Sequence, residues 1–310
     1  MVNIIYYKNG ELYNKNILLI SPNGGFGNRI RAVCGACIMA EKMDMQIAHC
    51  WDGSNYICAF PHIQKIHNRG FSYFFKDIIP EFDKINSYNI NNSINLNKII
   101  DKCYTEWLPD SIWYHKQNYG QTRYHITNID IQENIPKIIS NESFIIETTI
   151  NLSNATKDEI HKTYMKYFIP NDRFTEYMQK ETITNGLNGS NGSNGSIGIS
   201  IRLGEFLSFF PNSKIDENIL VNFIKEIDNP VILFSDDHGF RNMMRQYIKN
   251  PIILSFESDT TLSESEDIAF LEFLTLSKCN LIYGTDNSSF AEEAANFGGK
   301  EYRNFSSIKN

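Results

Sequence analysis

The sequence predicts an α/β protein built from two Rossmann-like domains. Two observations carry that expectation. Short, continuous apolar runs alternate with stretches of helical spacing, most regularly after residue 196, and such alternation packs as a parallel sheet with helices on its faces. The length of 310 residues is enough for two domains, each burying its own core.

The C-terminal region shows the alternation best. Residues 197–202 read as a strand, and residues 216–227 as a helix with Ile219, Leu220, Phe223, Ile224 and Ile227 on one side and Asp216 as its cap. Pro230 to Ser235 is uniformly apolar up to its last residue, the pattern of a strand buried on both faces. A helix is expected over 240–248, a third strand over 251–255, a helix over 264–277, a fourth strand over 280–283 and a last helix over 288–296. The N-terminal region opens the same way, with a strand at 16–21, a Gly-rich turn, a helix from about Asn28 to Lys42 and a strand at 46–51. Residues 53–131 give no regular pattern, and 143–149 return to a strand. Between the two regions, Asn185 to Ser196 is almost entirely Gly, Ser and Asn, residues that cannot bury apolar area. The expected division is therefore 1–170, a linker or loop over 171–196, and 197–310.

Composition narrows the function classes. Hydrophobic residues make up 42% and charged residues 21%, which excludes a wholly disordered chain. A net charge of −7 argues against nucleic acid or an anionic lipid surface as partner. No apolar run is long enough to span a membrane, and Lys8, Glu11 and Lys15 interrupt any signal-peptide pattern, so a cytoplasmic location is expected. Cys34 and Cys37 form a C-x-x-C, but no second pair stands at a zinc-finger spacing and the surrounding residues read as a helix. The two are read as packing thiols.

Four polar constellations stand at strand ends, where open α/β sheets bind ligands. The first is Asn23-Gly24-Gly25-Phe26-Gly27-Asn28-Arg29, between a strand and a helix. Glycines there admit a ligand close to the backbone, and the helix N-terminus attracts an anion. It meets neither the dinucleotide fingerprint, because Ile30 replaces the third glycine, nor the P-loop pattern. The second is Ser200-Ile201-Arg202-Leu203-Gly204-Glu205, whose guanidinium suits a pair of phosphate oxygens. The third is Ser235-Asp236-Asp237, with one carboxylate for a base or ribose and one for capping the next helix. The fourth is Thr285 to Phe290, where Ser288 and Ser289 begin a helix whose amides suit phosphate. For each of them a purely structural role, as turn, cap or surface pair, stays open. Taken together they describe a nucleotide cleft.

With these residues in view, the chain resembles the superfamily of α1,2-, α1,6- and protein O-fucosyltransferases and the nodulation fucosyltransferases. Gly25-Phe26-Gly27-Asn28-Arg29 is similar to its G-x-G-N-Q/R signature. Ser200-Ile201-Arg202-Leu203-Gly204-Glu205 resembles its H-x-R-x-G/T-D motif, Ser235-Asp236-Asp237 its S/T-D-D strand end, and Ser288-Ser289-Phe290 its third element. The resemblance covers residues 16–52 and 197–297. It implies a GT-B glycosyltransferase, inverting and needing no metal or other cofactor, that moves fucose from GDP-fucose to a glycan hydroxyl. It implies further that Arg202 holds the β-phosphate, Asp236 the guanine, Ser288 and Ser289 phosphate, and Gly27 and Asn28 the sugar diphosphate. Asp237, Phe290, Arg29, Gly25 and Ser200 complete the expected donor site. Glu205 is the first candidate for a catalytic base and Asp52 the second. Ser200 stands where the family has His and Glu205 where it has Asp, which leaves open a transferase using another GDP-sugar. An inactive nucleotide-sugar-binding protein is the other alternative.

Overall fold

The computed structural model describes residues 4–8, 11–15, 17–22, 25–42, 46–49, 51, 70–79, 112–116, 122–126, 144–148, 155–185, 195–258 and 265–308. The chain divides into two compact units, Met1–Ile169 and Pro170–Asn310. Each carries its own sheet.

In the first unit, β1 (Ile4–Lys8) and β2 (Glu11–Lys15) pair as an antiparallel hairpin. β3 (Ile17–Pro22) lies between β4 (Gln46–His49) and β7 (Phe144–Thr148), parallel to both. β6 (Thr122–Ile126) extends the sheet parallel to β7, and β5 (Ile112–Lys116) closes it antiparallel to β6. The sheet order is β4-β3-β7-β6-β5. The aromatic-rich stretch that gave no readable pattern thus supplies two strands. Helix α1 (Phe26–Lys42) follows β3 and is buried from Ala32 through Ala40, as expected of a helix apolar on every side. It packs against β3 and α3 (Lys157–Tyr167). Helix α3 begins with a reciprocal capping box: Glu159 N–H donates to the Thr156 hydroxyl at 3.2 Å and Thr156 N–H to the Glu159 carboxylate at 2.8 Å. The short helix α2 (Phe71–Phe74) places Phe71, Phe74 and Phe75 in an aromatic cluster with Phe26, Trp51 and Phe168.

Cys34 and Cys37 are buried on α1 as free thiols. Burial drives the Cys37 thiol far above its usual range, and the nearby Glu41 charge adds to the rise. A thiol held in its neutral form is a packing group, not a nucleophile or metal ligand.

The second unit opens with α4 (Asp172–Asn185), which packs on a later helix of this unit and lies within the segment read as linker. The Gly/Ser/Asn-rich residues 186–194 lie outside the described residues. The sheet is wholly parallel, in the order β11-β10-β8-β9, from β8 (Ile197–Ile201), β9 (Val231–Ser235), β10 (Leu281–Gly284) and β11 (Glu301–Asn304). The helices are α5 (Gly204–Phe209), α6 (Glu217–Glu226), α7 (His238–Arg245), α8 (Ser265–Leu276) and α9 (Ser289–Gly298). Ile199, Ile201, Val231, Leu233 and Tyr283 face a core shared with Leu220, Ile224 and Met244 from α6 and α7. Every residue of β9 is buried, so alternation puts Ile232 and Phe234 on the opposite face.

One expected strand is absent and one unexpected strand replaces it. Residues 251–255 make a single bridge, Pro251 to Val231, and then turn into a 3₁₀ helix over Ser255–Ser258. The Glu257 carboxylate accepts from Leu254 N–H and from Arg245, and this anchors the turn. The fourth strand is instead β11, whose residues are mostly exposed at the sheet edge.

Candidate functional site

The site lies in the second unit, at the carboxyl end of its sheet. β8 ends at Ile201, and the next two residues, Arg202 and Leu203, are held at three points. The Arg202 backbone N–H donates to Thr285 Oγ1 at 2.8 Å. Its Nε stands 3.4 Å from Asp236 Oδ2, and Leu203 N–H donates to Asp236 Oδ1 at 2.8 Å. The Arg202 side chain is 43% exposed and that of Asp236 27%. Asp236 therefore braces the loop that carries Arg202, and each of its carboxylate oxygens retains a lone pair beyond these bonds. Gly204 follows with φ +46°, a left-handed conformation that suits glycine and turns the chain into α5. Glu205 stands in the first turn of α5, and its side chain lies outside the described residues.

Asp236 and Asp237 have divided their work. Asp237 accepts from Phe240 N–H at 2.9 Å and caps α7. Asp216 caps α6 in the same way, accepting from the N–H groups of Asn218 and Ile219. Helix α9 is different. Ser288 sits at its cap position, yet its side chain makes no capping bond. The first amides of α9 are thus not closed by the residue placed to close them, and the positive end of the helix dipole there favours negative charge. Ser289 begins the helix half-buried, and Phe290 turns its ring edge-on to Phe273 at 5.8 Å. Phe290 thus holds the helix against α8. Ser200 is buried within β8, and its carbonyl accepts from Thr285 N–H at 3.2 Å.

The same unit holds a buried ion network whose members no sequence spacing groups together. Helix α7 carries His238, Arg241 and Arg245 on neighbouring turns. Arg245 donates to both Glu257 oxygens at 2.6 Å. Arg241 stands 3.2 Å from Glu257 and 3.5 Å from Glu272 on α8, and 2.7 Å from His238 Nδ1. Burial pushes the Glu272 carboxyl up to about 8, against the pull of Arg241; the Glu257 charge adds to the rise, and Arg202 and Arg245 oppose it. Glu272 therefore lies within electrostatic reach of Arg202. A carboxylate amid Phe270, Leu271, Phe273 and Leu274 is the signal that would have found it.

In the first unit, Asn23, Gly24 and Asp52 lie outside the described residues. Gly25 accepts from Arg29 N–H at 3.1 Å, and a Cβ there would meet nothing within 4 Å. Gly27 is buried and Asn28 half-buried. Arg29 points inward. It is 4% exposed, its guanidinium lies 5.6 Å from the centre of the Trp51 ring, and Nη1 donates to the Trp51 carbonyl at 3.4 Å. Its guanidinium is thus engaged with Trp51 in this structure.

Comparison with solved structures identifies the fold. The chain is similar to the NodZ α-1,6-fucosyltransferase soaked with GDP-fucose, with a TM-score of 0.56 at 11% identity over 92% of this chain and 93% of that one. It is similar to a point mutant of Arabidopsis thaliana FUT1 in complex with GDP, with a TM-score of 0.55 at 12% identity over 96% of this chain and 71% of that one. For POFUT1 in complex with GDP-fucose the TM-score is 0.53 at 12% identity, over 94% and 98%. No protein-family model and no curated protein matches the sequence. The fold is that of these fucosyltransferases. Among the described residues, no helix is long and apolar enough to cross a membrane.

Proposed function

We propose that the chain is a glycosyltransferase that moves fucose from GDP-fucose to a glycan hydroxyl, with inversion and without a metal ion or other cofactor. The observation that carries this reading is Arg202, a half-exposed guanidinium braced by Asp236 at a parallel-strand end, with Ser288, the cap position of α9 whose side chain makes no capping bond, three residues beyond the Thr285 that holds its backbone. The likeness in fold to proteins solved with GDP or GDP-fucose agrees with it.

In this reading Arg202 and the α9 amides meet the charge that develops on the β-phosphate as GDP leaves. Donors fixed before the reaction cost no reorganisation during it, and loss of one costs roughly 10²–10³ in rate. Asp236, already committed to Arg202 and Leu203, offers its remaining lone pairs to the guanine. Gly27 and Asn28, at the strand–helix turn of the first unit, are the further candidates for holding the sugar diphosphate. Glu205, three residues after Arg202, is the first candidate for the base that receives the acceptor proton. Ser200 favours one second reading, a transferase for a different GDP-sugar.

Calorimetric titration with GDP, UDP, GDP-fucose and GDP-mannose, each with and without EDTA, tests the reading. GDP binding tighter than UDP and unchanged by EDTA is expected, followed by consumption of GDP-fucose with an acceptor. A preference for UDP would overturn it, and a preference for GDP-mannose would select the second reading.

A further inference from the structure

The loop after β10 is fastened at two points to the segment that runs from the end of β8, through α5, to the 3₁₀ turn at Pro211–Ser213. At the near point, Arg202 N–H donates to Thr285 Oγ1 at 2.8 Å. At the far point, Asn287 Nδ2 donates to Ser213 Oγ at 2.9 Å. Thr285 and Ser213 are both buried. Arg202 is itself the near point on one segment, and the residue just beyond the far point on the other is Ser288, the cap position of α9.

Asn287 also bends the chain. Ser288 N–H donates to the Thr285 carbonyl at 3.0 Å, which closes a four-residue turn, and Asn287 is its third residue with φ 63°. A positive φ at that position is the mark of a type II turn, which Gly or Asn occupies and other residues enter only under strain. Asn287 is the only non-glycine residue with a positive φ among the described residues. Glycine would satisfy the turn but would leave Ser213 without its bond. Asparagine satisfies both.

We propose that Asn287 is a positioning residue, whose turn and whose bond to Ser213 together fix the N-terminus of α9 relative to Arg202 so that both can hold one diphosphate. The proposal rests on the reading of Arg202 and α9 as the phosphate site. Because it concerns the diphosphate and not the base or sugar, inorganic pyrophosphate probes it independently of GDP.

The test measures pyrophosphate and GDP affinity in the wild type, Asn287→Ala, Asn287→Gly, Ser213→Ala and the Asn287→Gly/Ser213→Ala double variant, with circular dichroism to confirm folding. Asn287→Ala loses both the turn preference and the bond, and is expected to bind both probes about tenfold more weakly. Asn287→Gly keeps the turn and is expected to recover most of that loss, leaving about threefold, the size of one neutral hydrogen bond. Ser213→Ala should match it, and the double variant should be no weaker than either, because all three lack the same bond. Unchanged affinity in Asn287→Ala, or additive losses in the double variant, would overturn the proposal. If Asn287→Ala does not fold, Ser213→Ala and the double variant decide. A wild type that binds pyrophosphate but not GDP would sink the GDP-sugar reading and leave this proposal standing; a wild type that binds neither would sink both.

Discussion

The two units each place an arginine at a strand–turn–helix junction next to glycine, and the two arginines have opposite fates. Arg29 follows Gly25 and Gly27 after β3 and is buried under Trp51. Arg202 stands just before Gly204 after β8 and stays half exposed, held by Asp236. The local sequence signals are alike. What separates them is the partner across space: an aromatic cluster accepts the first guanidinium by its ring face, and a strand-end carboxylate holds the second by its edge and leaves the rest of it to solvent. A glycine-and-arginine turn after a strand is therefore no indicator of a ligand site until its neighbour is known.

The largest expected effect lies on the exposed arginine. Arg202→Ala should lower transfer by roughly 10²–10³ with the thermal midpoint unchanged, since the loop keeps its Thr285 and Asp236 bonds to backbone N–H. A melting scan beside a donor-consumption assay reads this, and near-wild-type turnover would erase the distinction between the two arginines. Arg29→Ala should do the reverse. Loss of the cation–π contact and of packing on Trp51 should cost about 2 kcal/mol in urea unfolding, with kcat per folded molecule preserved. An Arg29→Ala protein as stable as wild type but unable to bind donor would break the comparison.

The next prediction sharpens the electrostatics behind Arg202. The Glu272 carboxyl is raised from its ordinary value of 4.5 to about 8. The folded state then holds a proton that the unfolded chain has already released, so this group's contribution to stability declines as pH rises from about 4.5 to about 8. Glu272→Gln should remove that decline. Melting temperatures of the two proteins should diverge progressively over that window, with the variant the more stable at its upper end. Parallel profiles would show that the carboxylate is ionised against Arg241 throughout.

The smallest effect compares two helix starts. Asp237→Ala should cost about 1 kcal/mol by opening the α7 cap, whereas Ser288→Ala should cost only a few tenths, because that side chain caps nothing. Equal losses would show that α9 is closed by Ser288 in solution and is not reserved for an anion.

The alternating α/β order, the strands β3, β4, β8, β9 and β10, and the caps at Asp216 and Asp237 were legible because each rests on contacts within a dozen residues: an apolar run, a helical repeat, a side chain reaching two or three residues ahead. Arg202 and Asp236 were legible as strand-end residues, although their bond to each other was not. The false strand over 251–255 has the apolar run a strand needs, and what stops it is Glu257, a carboxylate claimed by Arg245 and Arg241 from another helix. β11 was missed for the opposite reason. An edge strand is exposed and carries no apolar run to read.

The sequence by itself determined which residues of this protein can carry charge and hydrogen bonds to strand ends, since chemistry and spacing are local properties. The tertiary structure alone decided which of them face outward. Arg29 is sealed by Trp51, Arg202 is braced by a residue 34 positions later, Asn287 reaches Ser213, and the Glu272 proton answers to Arg241, Glu257 and Arg202. Each of those outcomes depends on a partner brought close by packing, and the distance between two residues in the folded chain is not written in the distance between them in the sequence.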